Sequence, residues 1–323
     1  MLYPLLFEPN LHTVVWGGQR LRPYKGLVPD GKPIGESWEV SAVPGSTSVI
    51  SNGAYSGQPL SDVIALHTEE VLGRSVARRY GGQLPLLVKF IDAEKDLSIQ
   101  VHPDDTMAQH MHGKWGKSEM WYIIDAEPGS CLYAGFKSPI SPYEYKKRVE
   151  DGSITDVLAR HEVHPGDVFY LPAGRVHAIC GGIRLAEVQQ SSDVTYRIFD
   201  YNRPGADGKP RQLHTDLARQ AIDYKVYDDY KTEYAPEADK AVEIVSCPYF
   251  TTSVLDLRNP MEQDLSALDT FVVAMCLEGY GEISAEGETI SIKADEVVLI
   301  PATAEKVSFK PGEDGFKLLT TRL

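Results

Sequence analysis

Residues 97–122 read LSIQVHPDD (97–105), TMAQHMHGKWG (106–116) and KSEMWY (117–122). Alternate side chains of an extended strand share a face. Ser98, Gln100 and His102 therefore share one side of the first segment, with Leu97, Ile99 and Val101 opposite. In the return segment Lys117, Glu119 and Trp121 share a face, and Ser118, Met120 and Tyr122 share the other; residues 106–116 read as a glycine-containing loop. Two neighbouring strands thus aim an imidazole, a carboxylate, an amide and an ammonium at one space. A solvated surface does not need that combination, which points to a metal site with a substrate-facing cation beside it.

HPGDVFYLPAGRVHAI (164–179) adds a second imidazole, His177, after a PAG turn. His102, Glu119 and His177 form a two-imidazole, one-carboxylate donor set, with the Gln100 amide oxygen as a weaker fourth. Zinc takes such ligands and leaves a position open when its role is catalytic; iron, cobalt and manganese accept the same set. A lysine so near a metal is repelled unless something anionic lies between them, so Lys117 reads as a substrate-facing cation or as a lysine snorkelling to the barrel rim. Arg197, with Tyr196 and Ile198 pointing away from it, suits an enediolate-like or phosphate oxygen. Glu187 reads equally as a partner of Arg197 and as a general base. Ser98, Arg203 and Arg211 are weaker candidates for phosphate contacts. His110 and His112 are expected in solvent, His12, His161 and His164 at surface or core without a role, and His214 as a helix cap.

Outward from this centre, residues 1–57 carry the Gly and Pro punctuation of short strands. A helix is expected over PLSDVIALHTEEVLGRSVARRY (59–80), with acids early and arginines late as the macrodipole favours, then a buried strand over PLLVKFIDA (85–93). Ser141 and Pro142 suit a helix start, and the helical pattern extends through ITDVLARHEV, giving an insertion at about 141–162. Strands follow over 184–202, then a polar loop (203–214), a short helix near DLARQAIDY (216–224) and a segment of linker composition (227–241). The remainder consists of short β-rich runs at regular spacing, as in a small sandwich or barrel. HPGDVFYLPAGRVH in the first half is echoed by KADEVVLIPATAEK in the second, with Lys306 at the position of His177.

The chain has 323 residues and a net charge of −14, which argues against a nucleic-acid surface without excluding an anionic small molecule. The four cysteines, Cys131, Cys180, Cys247 and Cys276, form no CxxC pair and read as buried, reduced thiols. The first ten residues lack the basic start of a signal peptide, and no apolar run approaches the roughly 20 residues of a membrane span. A cytoplasmic setting is expected. GxGxxG, GxxxxGK[ST] and GxSxG motifs are absent, which leaves nucleotide-dependent chemistry and serine hydrolysis without support.

QVHPDD (100–105), GKSEMWY (116–122), LPAGRVHAI (171–179) and QQSSDVTYRIFDYNR (189–203), with GESWEVS (35–41), resemble type I mannose-6-phosphate isomerase in its shorter bacterial form, within the cupin superfamily. The resemblance implies a mainly β fold of two cupin-type, jelly-roll barrels, with a small helical insertion in the first. The expected division is a catalytic domain over 1–235 and a metal-free cupin-like domain over 236–323. It implies zinc held by Gln100, His102, Glu119 and His177, with Arg197, Glu187 and Lys117 as catalytic positions. Interconversion of mannose 6-phosphate and fructose 6-phosphate through a cis-enediol is the implied reaction, with Ser98, Lys117 and Arg203 as expected substrate contacts. An iron-dependent cupin oxygenase and a non-catalytic sugar-binding regulator are the alternatives. Oligomeric state has no sequence signal.

Overall fold

A computed structural model of the chain describes residues 2–28, 30–205 and 208–323. Ala206 and Asp207 of the expected 203–214 loop lie outside the described residues. The fold is mainly β. The first half pairs two antiparallel sheets face to face. One has seven strands, in the order Lys231–Thr232, Val168–Leu171, Glu119–Ala126, Ile183–Gln190, Leu86–Ala93, Leu11–Gly18, Ile34–Val40. The other has five, Tyr196–Phe199, Ile99–Val101, His177–Ile179, Cys131–Phe136, Leu158–Glu162. A third, eight-stranded sheet is built mainly by residues 241–322.

Strand alternation sorts the apolar side chains into layers. Ile91, Trp121, Ile123 and Leu185 of the seven-stranded sheet meet Leu132, Ala134 and Ile179 of the five-stranded one inside the first barrel. Ala186 and Val188 alternate with Leu185 and Glu187, so they face outward. There they join Val88, Phe90 and Met120 against Val273, Met275, Leu299 and Leu319 of the second domain. Each fully buried Leu or Val there stabilises the contact by roughly 1.5–3 kcal/mol, so the two barrels share one core. The outer face of the five-stranded sheet (Ile99, Val101, Tyr196, Ile198) is covered by Tyr145 and Ala218 from the helices Pro142–Glu150 and Thr215–Ala221.

The internal echo has the same element spacing. Strand Val168–Leu171 is followed by a strand starting at His177, and Val297–Ile300 by one starting at Lys306. Lys306 is exposed and pairs with Glu262, and the second barrel is filled by Leu255, Ala274, Val298 and Leu318.

Several expectations need correction. The 106–116 loop is largely a helix, Asp105–His112: Asp104 caps it by accepting the Met107 N–H at 2.8 Å, and Gly113 ends it in the left-handed region. ITDVLARHEV is not helical beyond a single 3-10 turn, Ile154–Val157. Leu158–Glu162 is instead an edge strand paired with Cys131–Phe136, so the α-helical insertion shrinks to Pro142–Glu150. The expected 59–80 helix is three short ones, Leu60–Leu66, Thr68–Leu72 and Arg74–Arg79. The last break falls at Gly73, at φ 88°, where an added Cβ would come within 2.2 Å of the Asp269 carbonyl of the second domain. The 227–241 segment is not a free linker: Lys231–Thr232 extends the seven-stranded sheet, and the buried Tyr230 donates to the Phe136 carbonyl at 2.8 Å. The N-terminal strand Leu5–Leu6 crosses the expected 235/236 division and pairs with Val297–Ile300. Cys180 and Cys247 are half-buried rather than buried, and all four cysteines are free thiols.

Candidate metal and substrate site

The two facing sheets carry the polar residues toward one another. On the five-stranded sheet Gln100 is central, with His177 directly opposite it on one neighbouring strand and Arg197 on the other. His102 follows the same strand. On the seven-stranded sheet the register sets Gln189 opposite Glu119, and Glu187 opposite both Trp121 and Lys89. Lys117 leads into the Glu119 strand.

His102, Glu119 and His177 are at most 1% exposed, and their ligating atoms lie within 4.8 Å of one another. His102 Nε2 is 3.5 Å from one Glu119 oxygen and His177 Nε2 is 3.2 Å from the other. The Gln100 side-chain amide lies 3.2 Å from His177 Nε2. Both rings are oriented by backbone: His102 Nδ1 meets the Val194 carbonyl at 2.8 Å, and His177 Nδ1 meets that of Arg175 at 2.9 Å. A carbonyl accepts only from N–H, so each ring is protonated at Nδ1 and has an unprotonated Nε2, that of His177 accepting from the Gln100 amide N–H. Burial drives both pKa values down, that of His177 to about 4, which keeps the lone pairs available; burial pushes Glu119 up to about 7. His102 Nε2 and Glu119 Oε1 are buried without a hydrogen-bond donor, while Glu119 Oε2 lies 3.0 Å from the Lys117 ammonium. Two neutral imidazoles and a desolvated carboxylate converging with their acceptor atoms inward fit a divalent cation.

A polar cavity of about 190 Å³ adjoins the trio, lined by Ser98, Gln100, Lys117, Glu187, Arg197 and Arg211 among others. Drug-sized pockets begin near 300 Å³, so this one is sized for a small polar molecule. Lys117 is buried, with Nζ 3.0 Å from Glu119, so the anion beside it is the Glu119 carboxylate itself and rim snorkelling is excluded. Glu187 does not pair with Arg197. Trp121 Nε1 donates to its Oε2 at 2.9 Å, and Lys89 Nζ sits 3.3 Å from Oε1. Burial alone would raise the Glu187 pKa, but Lys89, Lys117 and the indole N–H outweigh it and hold it below the ordinary glutamate value. Arg197 Nη1 donates to the Gln212 carbonyl at 2.9 Å, while its Nε is buried without a partner.

Two expectations move. Arg203 is absent from the cavity lining: it is held by Asp200 at 2.7 Å and by the Asp96 carbonyl. Arg211, a candidate of the same rank, lines the cavity, fixed by two bonds to Asp200 of 2.7 and 2.6 Å. His214 makes no side-chain cap; its Nδ1 accepts the Arg197 N–H at 3.2 Å. His110 and His112 are exposed as expected. Lys89 and Glu36 were missed by the sequence reading. Lys89 lies 3.4 Å from Glu36 and over the Trp38 ring, on the cavity wall. Its signal was a lone lysine inside the apolar run PLLVKFIDA.

Together the layers and the buried donor trio define a two-barrel cupin with a site that could hold a metal ion. The model for phosphomannose isomerase type I, catalytic domain, matches residues 5–127, and that for the mannose-6-phosphate isomerase cupin domain matches 240–312. The chain is 33% identical to mannose-6-phosphate isomerase of Streptococcus mutans, over 96% of each chain. It is 33% identical to mannose-6-phosphate isomerase ManA of Bacillus subtilis, over 92% of this chain and 93% of that one. A crystal structure of the mannose 6-phosphate isomerase from Bacillus subtilis superposes over 100% of both chains with a TM-score of 0.90 at 31% identity. The chain belongs to the type I mannose-6-phosphate isomerase family, and membership favours the isomerase reading over the oxygenase and regulator alternatives.

Proposed function

We propose that this chain interconverts D-mannose 6-phosphate and D-fructose 6-phosphate, with zinc on Gln100, His102, Glu119 and His177. The observation that supports it most is the Arg197 Nε–H, buried without an acceptor on the same cavity as Glu187, whose Oε1 faces the Lys89 ammonium at 3.3 Å. When bound, zinc would act as a Lewis acid on the sugar oxygens. Glu187, ionised and with Oε2 fixed by Trp121, would move the proton between C2 and C1 through Oε1. The resulting cis-enediolate oxygen would be met by the Arg197 Nε–H, in a pocket dry enough to make that hydrogen bond count. Lys117 would hold the substrate near Glu119 or carry a proton, and Ser98 and Arg211 would take phosphate contacts, Arg211 in the place expected of Arg203.

Catalysis would reside in 1–235 and a structural role in 236–323, with Leu5–Leu6 lent to the second domain. The net charge of −14 argues against a nucleic-acid partner without excluding an anionic sugar phosphate, and a cytoplasmic setting without a membrane partner completes the reading. Among the described residues no helix is long and apolar enough to cross a membrane. A coupled assay for fructose 6-phosphate formed from mannose 6-phosphate tests the proposal. Turnover is expected, lost with a chelator and restored by zinc. Absence of turnover in the zinc-loaded protein overturns it.

A further inference from the structure

The strand pairing that sets Ile179 opposite Leu132 continues into Cys180 opposite Cys131, where the Cys180 N–H donates to the Cys131 carbonyl at 3.1 Å. The two thiols are in contact, Sγ to Sγ 3.0 Å. Facing residues of an antiparallel pair have Cα atoms about 4.5–5.5 Å apart, inside the roughly 4.4–6.8 Å window of a disulfide. Closing the sulfurs to about 2.05 Å therefore requires a side-chain rotation and leaves the strands in place. Cys131 is 6% exposed and Cys180 half-buried, so a small oxidant can reach the pair. The Cys180 thiol, against the opposing effect of burial and with help from Arg160, holds the Cys131 pKa down to about 7, which supplies the thiolate that oxidation needs.

We propose that Cys131 and Cys180 are a peroxide-oxidisable dithiol, which forms a reversible disulfide bridging the strand Cys131–Phe136 to the end of the strand that carries His177. This site does not rest on the isomerase reading. In the first step the Cys131 thiolate attacks a peroxide oxygen, the O–O bond breaks, and Cys131 becomes a sulfenic acid while the leaving hydroxide takes a proton to become water. In the second, the Cys180 sulfur displaces hydroxide from the Cys131 sulfur, forming the S–S bond and releasing the second water. Sulfur loses two electrons and hydrogen peroxide gains them; a dithiol reductant reverses the change.

The test uses the full chain, reduced, freed of reductant and treated with a small excess of hydrogen peroxide. Thiols are counted in denaturant, and peptides are mapped by mass without reduction. A cross-linked peptide joining Cys131 to Cys180, lighter by two hydrogens, is expected, and dithiothreitol should abolish it. In Cys180→Ser, which removes the more accessible partner, no cross-link forms and Cys131 is trapped as a dimedone-reactive sulfenic acid. Intact Cys131 and Cys180 thiols after Cys247 has been oxidised, or separate oxidation of the two sulfurs without a cross-link in the wild-type chain, overturns the proposal.

Discussion

Trp121 donates its indole N–H to Glu187 at 2.9 Å across neighbouring strands of the same sheet. This bond occupies one carboxylate oxygen, and the other lies 3.3 Å from the Lys89 ammonium on the cavity wall. Glu187→Gln keeps the shape and removes the base. The expected loss is about 10²–10⁴ in kcat with metal content unchanged, checked by coupled kinetics beside elemental analysis. Loss of metal in this variant would make Glu187 a support for the metal cluster instead.

Removing one imidazole from the buried trio leaves Glu119 with a single His partner. His177→Ala is expected to lose bound metal and measurable turnover while the far-ultraviolet circular dichroism stays that of wild type, because the packed layers lie elsewhere. Metal analysis after gel filtration reads the first effect directly.

Arg197→Ala distinguishes transition-state stabilisation from simple binding. If the Nε–H meets the enediolate, kcat falls by about 10²–10³, as for a lost oxyanion donor, and Arg197→Lys recovers little because the planar fork is gone. A change confined to KM would reduce Arg197 to a binding residue.

Asp200 anchors Arg203 and Arg211. Burial raises its pKa, but the hydrogen bonds from both guanidinium groups overcome this and hold it below the ordinary value. A depressed carboxylate stabilises the fold above its unfolded value of about 3.9 and loses that contribution as pH falls through the folded value. Asp200→Asn should therefore lower Tm at neutral pH, and the gap from wild type should close in acid. Thermal scans of both proteins across pH check the sign.

At Gly73 the positive φ and the Asp269 carbonyl leave no room for a side chain. Gly73→Ala should destabilise the protein by about 1–3 kcal/mol, read as a drop in Tm without a change in KM.

Alternation alone placed Gln100 with His102 and Lys117 with Glu119, because a period of two is written directly into the chain. His177 was legible as a turn followed by a histidine, and the echo with Lys306 was legible as spacing. The pairing of Glu187 with Lys89 was not, since it depends on which strands become neighbours. Arg203 and Arg211 were interchangeable in a polar loop; Asp200 holds both, and the Asp96 carbonyl that accepts from Arg203 sets their directions apart. ITDVLARHEV carries a helix-like pattern, yet an edge of the five-stranded sheet takes it as strand, so tertiary pairing overrides local preference.

Leu5–Leu6 closes the edge of a sheet whose other strands lie more than 230 residues later in the sequence. During synthesis this strand emerges long before its partner, Val297–Ile300. The second barrel therefore completes its hydrogen bonding only after Val297–Ile300 has been made, and Leu5–Leu6 acts as a late-engaging clasp across the whole molecule. A bulky insertion beside Leu5–Leu6 would burden assembly far from the reacting centre.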